Sequence, residues 1–255
     1  MAVLEVRNIS KSFDGEQIIN QISIELQEKE IVSLLGVSGG GKTTLFNVIA
    51  GLSSPDEGSV WLNEEEITGK PGKISYMLQK DMLLPYRTIL DNVAMPLMIR
   101  GMKKKEARKN AILHFEEFGL QGTERKYPAQ LSGGMKQRAA LLRTYLFSGQ
   151  VALLDEPFSA LDMLTKGAMH EWYLDVMQKI QLSTLFITHD IDEAILLSDR
   201  IYILTGKPGQ ITKEIVIKEP KPRSKDFQLS EAFLNYKKEI LSHLEGKDID
   251  EREVL

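Results

Sequence analysis

A short apolar run, Ile31-Val32-Ser33-Leu34-Leu35, passes without a break into Gly36-Val37-Ser38-Gly39-Gly40-Gly41-Lys42-Thr43. The run has the continuity of a strand buried on both faces, as in parallel sheets. After the glycines, Leu45, Val48, Ile49 and Leu52 fall at helical spacing, and Gly51 marks a helix end. Strand, glycine loop and helix in this order call for a layered α/β structure. The loop fits the spacing G-x-x-x-x-G-K-S/T. Its glycines let the backbone curl so that several N–H groups face one point, and the helix behind adds the positive end of its dipole. That point suits a phosphate. Lys42 then reaches the β- and γ-phosphates, the Thr43 hydroxyl ligates Mg²⁺, and Thr44 completes the loop. A flexible glycine turn is the bland alternative; it has no use for Lys-Thr between a strand and a helix.

The rest of the chain extends the pattern. Val3 to Val6 and Ile22 to Leu26 alternate as half-buried strands do, and Gly58 to Leu62 and Ile74 to Met77 are further strand candidates. From Asp81 to Gln150 the sequence turns helical. Thr88 and Asp91 have the spacing of a capping box. Ala107, Ala111, Phe115 and Phe118 line one side of a helix expected to run to Gly119. Strands return at Val151 to Asp155, Thr184 to Thr188 and Arg200 to Leu204. The sum is a parallel-sheet core interrupted by a helical insertion. The tail beyond Gly206 is rich in Pro and Lys, with one helix expected from Ser230 to Leu244.

Composition removes several function classes. The 255 residues contain no cysteine, which excludes disulfides and thiolate chemistry. A formal net charge of −4 gives no global field for nucleic acid. No stretch approaches the roughly 18 apolar residues of a membrane span, and the N-terminus lacks the pattern of a signal peptide. The basic run Arg100, Lys103, Lys104, Lys105, Arg108 and Lys109 reads first as a solvated helix face, then as a neighbour of anionic lipid.

Two further motifs carry chemistry. Val151-Ala152-Leu153-Leu154-Asp155-Glu156 is a buried strand ending in two carboxylates, at the strand end where parallel sheets present ligand groups. Asp155 is placed to hold Mg²⁺, and Glu156 to activate a water. Leu131-Ser132-Gly133-Gly134-Met135-Lys136-Gln137-Arg138 reads as a helix start, with Ser132 as N-cap and a helix to about Phe147.

Together these three motifs resemble the ATP-binding cassette of ABC transporters, over about residues 2 to 217. The resemblance implies an α/β fold: a P-loop NTPase (RecA-like) core with an N-terminal antiparallel β-subdomain and an inserted α-helical subdomain at about 81–150. The cassette occupies 1–217 and a tail 218–255. It implies an ATPase using ATP and Mg²⁺, with roles for residues that spacing leaves silent. Gln79 matches the glutamine that contacts Mg²⁺ and the lytic water. His189 matches the histidine that senses the γ-phosphate, and Phe13 the aromatic that stacks on adenine. Ser159-Ala160-Leu161-Asp162 matches the D-loop at the dimer interface. Ser132, Gly133, Gly134 and Gln137 of one cassette close over the ATP of a second copy packed head to tail. Residues Met82 to Arg87 line a groove for membrane permease subunits, at the cytoplasmic face of the membrane. An extracytoplasmic solute-binding protein is an indirect partner, and nucleic acid is not one.

Pro157-Phe158 and Lys207-Pro208-Gly209-Gln210-Ile211 are similar to the importer branch for nitrate, sulfonate and taurine, which includes importers of thiamine pyrimidine precursors. An exporter ATPase and a soluble ABC ATPase are the alternatives. A P-loop kinase has no use for Leu131 to Arg138.

Overall fold

The computed structural model describes residues 2–148, 150–159, 161–223 and 225–245. Strands run at Ala2–Phe13 (β1), Glu16–Gln27 (β2), Ile31–Gly36 (β3), Glu57–Leu62 (β4), Glu65–Glu66 (β5), Ser75–Met77 (β6), Val151–Asp155 (β7), Ser183–Thr188 (β8), Arg200–Thr205 (β9) and Gln210–Val216 (β10). Helices run at Lys42–Ile49 (α1), Ile89–Val93 (α2), Met95–Ile99 (α3), Lys104–Ile112 (α4), Gly133–Ser148 (α5), Met163–Ile180 (α6), Ile191–Leu197 (α7), Lys225–Gln228 (α8) and Glu231–Leu244 (α9). The chain divides into two compact units, 1–71 with 183–255, and 72–182.

The first unit holds an antiparallel sheet in the order β2-β1-β4-β5. Leu4 faces Leu26 and Leu62, and Val6 faces Ile24 and Val60. Alternation puts Leu4, Val6, Ile24, Leu26 and Val60 on a buried face. The same unit holds β3 paired in parallel with β8 on one side and β9 on the other. Every residue of β3 and β8 is buried, as their unbroken apolar sequence requires. β10 pairs antiparallel with β9 at the edge. β10 carries no clear alternation in sequence, because Lys213 stands part-buried between Ile211 and Ile215 and Val216 is exposed beside Glu214. Among its described residues the tail also holds two helices rather than one. α9 starts on Ser230, whose hydroxyl accepts from the Phe233 N–H at 3.2 Å, and docks through Phe233 and Ile240.

In the second unit β6 and β7 pair in parallel, Ser75 with Ala152 and Met77 with Leu154. Between Met77 and Val151 the described residues form only helices and turns. Thr88 caps α2 by accepting the Asp91 N–H at 3.2 Å. The Asp91 carboxylate completes no capping box; it takes the Arg108 guanidinium in a two-pronged pair at 2.6 and 2.7 Å. The helix expected to reach Gly119 stops at Ile112. Beyond it the i→i−4 ladder gives way to i→i−3 bonds, His114 to Ala111 and Phe115 to Ile112. Phe115 and Phe118 stay buried all the same. The Arg138 guanidinium stacks 4.7 Å over the Trp172 ring and so ties α5 to α6. Gly119 has a φ of 63°, and a side chain there would strike Arg138.

Candidate nucleotide site

The phosphate loop opens directly from buried β3. Gly39 and Gly41 take φ values of 80° and 91°, a region closed to most side chains at little cost. A Cβ on Gly39 meets nothing within 4 Å, whereas one on Gly41 meets Ile19 at 2.5 Å and one on Gly36 strikes the Leu204 carbonyl. The loop is thus tight where it leaves and rejoins the core and open at its crest. Val37, Ser38 and Gly39 are exposed there. Lys42 is buried, and its ammonium donates to the Gly36 and Val37 carbonyls at 2.9 and 2.8 Å. The charge is therefore carried inside the curl of its own loop. α1 starts on Gly41 without a side-chain cap and with no acidic residue in its first turn. In contrast, Asp190 caps α7 and Ser230 caps α9. The exposed Thr43 and part-exposed Thr44 lie in that first turn. A start of this kind receives an anion.

Gly209 supports the loop from outside. Its N–H donates to the Ile18 carbonyl at 2.8 Å and its carbonyl accepts from Asn20 at 3.0 Å. A Cβ on Gly209 would strike the Gly40 carbonyl. The Pro-Gly pair therefore has a structural purpose that sequence reading used only as a family cue. Phe13 ends β1 with 48% of its surface exposed, so it is not part of the core. The Lys11 ammonium lies 5.2 Å from its ring centre. His189 is the first residue after β8 and is exposed.

A second set of groups lies in residues 72–182. Asp155 ends β7 and is 7% exposed. The Tyr76 hydroxyl makes a long contact of 3.4 Å to its carboxylate. Burial first, and then the Asp155 charge, push the Tyr76 phenol well above its ordinary range, so this hydroxyl stays protonated and donates. Tyr76 was read only as part of a strand; its parallel pairing with Leu153, invisible in sequence, brings it there. Glu156 has a φ of 46°, a conformation costing a non-glycine residue about 1–2 kcal/mol. The Ser159 N–H and hydroxyl both donate to its carbonyl, at 3.2 and 3.0 Å, and hold the turn. The Gln79 amide donates to the Glu156 carboxylate at 2.8 Å. Two predicted residues 77 positions apart thus meet.

Ser132 and Gly133 are exposed at the start of α5. The Ser132 hydroxyl accepts from the Met135 N–H at 3.3 Å. Gly134 is buried, and a Cβ there would touch Met169 and Thr165 at 3.5 Å. Gln137 lies one turn on, on the same inward side, and is 6% exposed. Asp162 caps α6, taking the Thr165 N–H at 3.1 Å and its hydroxyl at 2.6 Å. Ala160 of the same segment lies outside the described residues.

The loop after Gln79 is pinned from below. Buried Asn92 accepts the Leu84 N–H at 2.6 Å and donates to the carbonyls of Leu84, Arg87 and Thr88 at 3.0–3.1 Å. Arg143 donates to the carbonyls of Asp81 and Met82. Held this way, the loop displays Tyr86, 93% exposed, and Met82, 56% exposed. Asn92 and Arg143 were not singled out from sequence, since neither sits in a motif.

Among the described residues no three His, Asp or Glu side chains gather as a metal cluster. The oxygen donors of Asp155 and Gln79 in the second unit, and of Thr43 in the first, are of the hard type that Mg²⁺ takes.

A family model described as "ABC transporter" matches residues 19–159. The formylaminopyrimidine import ATP-binding protein ThiZ of Halalkalibacterium halodurans is 50% identical over 191 residues, 75% of this chain and 74% of that one. The nitrate import ATP-binding protein NrtD of Synechocystis is 36% identical over 262 residues, 99% of this chain and 98% of that one. Among solved structures, the dimeric post-hydrolysis state of the ATP-binding cassette MJ0796 with ADP and Pi matches with a TM-score of 0.71 and 28% identity, over 85% of this chain and 100% of that one. With its phosphate loop, its carboxylate-ended strand and these relatives, the chain belongs to the ABC transporter family, as an ATP-binding, ATP-hydrolysing subunit.

Proposed function

We propose that this subunit powers import of a small solute of the nitrate, sulfonate, taurine or pyrimidine-precursor type. The observation that carries the reading is the 2.8 Å bond from Gln79 to Glu156. Gln79 stands at the root of the pinned loop that displays Met82 and Tyr86. A residue touching the water-activating carboxylate is therefore continuous with an exposed apolar-aromatic surface, which suits a helix of a partner. That partner is an integral permease subunit. Among the described residues no helix is long and apolar enough to cross a membrane. In this reading the permease is a separate chain, and this subunit sits on its cytoplasmic face. A solute-binding protein on the other side selects the cargo. The relatives' names for formylaminopyrimidine and nitrate importers support the solute class.

In this reading the exposed loop amides, the α1 N-terminus and Lys42 bind the ATP phosphates, and Phe13 stacks on adenine. Thr43, Asp155 and Gln79 hold Mg²⁺, which neutralises phosphate charge when bound. Glu156 accepts the proton of the attacking water, Gln79 orients that water, and His189 contacts the γ-phosphate. Ser132, Gly133 and Gly134, with Gln137 behind them and Asp162 at the interface, serve the ATP of a second copy. ATP then joins two subunits, and its hydrolysis releases them.

The test is Glu156→Gln. It should bind ATP, hydrolyse it about 10²- to 10⁴-fold more slowly, and run as a dimer by light scattering with ATP but as a monomer with ADP. Near-normal hydrolysis would remove Glu156 from its role. A monomer with ATP bound, both alone and with permease present, would sink the ATP-joined dimer.

A further inference from the structure

α7 follows His189 after one residue, its N-cap Asp190, and side chains on either side of that histidine fix where it starts. The Thr188 hydroxyl donates to the Glu193 carboxylate at 2.7 Å and accepts the Asp190 N–H at 3.0 Å. The Asp190 carboxylate accepts the Glu193 N–H at 3.1 Å. His189 thus sits inside a ring of contacts whose far member, Glu193, belongs to α7.

The other end of α7 is held by the tail. α7 is seven residues long, and the carbonyls of its last turn lack intrahelical partners. Arg223 supplies them: one guanidinium nitrogen donates to the carbonyls of Ile195, Leu196 and Ser198 at 2.8, 3.0 and 2.7 Å. Its Nε donates to the Glu219 carbonyl at 3.0 Å and fixes the arginine to its own strand of tail. Next to it Lys221 pairs with Asp199 at 2.7 Å, and the same Asp199 oxygen accepts the Ile31 N–H at the start of β3. On the flank of α7, Lys237 of α9 pairs with Asp192 at 2.6 Å. α9 is itself anchored by buried Phe233 and Ile240. The apolar face of α7, Ala194, Ile195 and Leu197, is fully buried. Apolar contact is non-directional and permits a short helix to slide or turn. The hydrogen bonds and the ion pair set its position along its axis.

We infer that the chain beyond β10 is a brace that positions His189 through α7, with Arg223 and Lys237 as its positioning residues. The inference rests on the role proposed for His189. It gives the tail a part in the ATP cycle: a partner or a change that lifts α9 slows hydrolysis while leaving ATP bound.

The experiment measures ATP hydrolysis at saturating ATP and equilibrium ATP binding on the full chain. The variants are Arg223→Ala, Arg223→Lys and Lys237→Ala, each alone and in a His189→Ala background. Arg223→Ala should lower kcat about threefold to tenfold, and Lys237→Ala at least about twofold, with ATP affinity within about twofold of the parent. Arg223→Lys, whose ammonium offers its donors to the same carbonyls, should recover most of the loss. In the His189→Ala background the brace variants should cause little further loss, because their effect passes through the missing imidazole. Lys237 lies on the surface, so Lys237→Ala folds even where Arg223→Ala does not. Parental kcat in the folded brace variants, or losses that multiply undiminished without His189, would overturn the brace while leaving the ATPase reading intact. Parental kcat in His189→Ala alone would overturn the histidine's role and the brace with it.

Discussion

Two helix starts in this protein use the same physics and are built in opposite ways. α1 begins on Gly41, uncapped by any side chain, inside a loop whose lysine is buried and bound to that loop's own carbonyls. α5 begins after Ser132, whose hydroxyl already takes the Met135 N–H, and its first residues lie exposed. The first start is a cradle that carries its own cation. The second is a flat surface, with its nearby Arg138 turned away onto Trp172. The positive end of a helix attracts phosphate in both cases, but only the cradle surrounds one. Under the proposed function the difference teaches a division of labour: α1 would bind ATP by itself, and α5 would add to an ATP already held by a second copy.

The strongest test of this comparison is Lys42→Ala. Loss of a charged donor to phosphate should weaken ATP binding about 10- to 100-fold, measured by titration with a fluorescent ATP analogue. An unchanged affinity would mean the cradle is not the primary site. Ser132→Arg tests the other half. Titration should give the monomer a parental ATP affinity, while light scattering in a Glu156→Gln background should show dimer affinity reduced at least about tenfold by the bulky cation. Weakened binding in the monomer would erase the distinction between the two starts. Gly209→Ala sharpens the account of the cradle, because its methyl must displace the Gly40 carbonyl. The expected loss is about 1 kcal/mol of ATP binding, roughly fivefold, with no change at α5. Gly133→Ala is its counterpart on the open surface: its methyl only touches Leu161 at 3.5 Å, and the affinity for ATP should not move.

A further effect, no larger than that of Gly209→Ala, concerns stability in the second unit. Arg108, by its hydrogen bonds and then its charge, holds the Asp91 carboxyl below the usual carboxylate range. A lowered folded value stabilises above the unfolded pKa of about 3.9 and loses that contribution as pH falls through the folded value. Arg108→Ala should therefore cost up to about 1 kcal/mol at neutral pH, the ceiling for a half-exposed pair, and nothing at a pH where Asp91 is protonated in both states. Thermal midpoints of parent and variant should converge in acid. A gap that persists there would assign the loss to packing.

How much was legible in the sequence follows from where each signal lies. The phosphate loop, the ending of β7 and the start of α5 are local motifs; backbone curl, strand burial and capping act within a few residues, so their chemistry could be read directly. The end of α4 was misplaced because Phe115 and Phe118 keep their burial in turns of i→i−3 bonds, and a burial pattern does not tell such turns from a helix. β10 was missed because Lys213 stands on its part-buried side and Val216 on its exposed side, which blurs the alternation.

What the sequence by itself determined is the family and its ATP chemistry, together with the candidate groups proposed to perform it. Those properties need residue types at short, fixed spacings. The tertiary structure alone decided which distant residues meet. The Gln79 amide on Glu156, Tyr76 beside Asp155, Asn92 beneath the displayed loop, Gly209 against the phosphate loop and Arg223 on the end of α7 all join segments with no local signature. Each is a hydrogen bond or a close approach between groups brought together by strand pairing and helix docking, and such contacts exist only once the chain has packed.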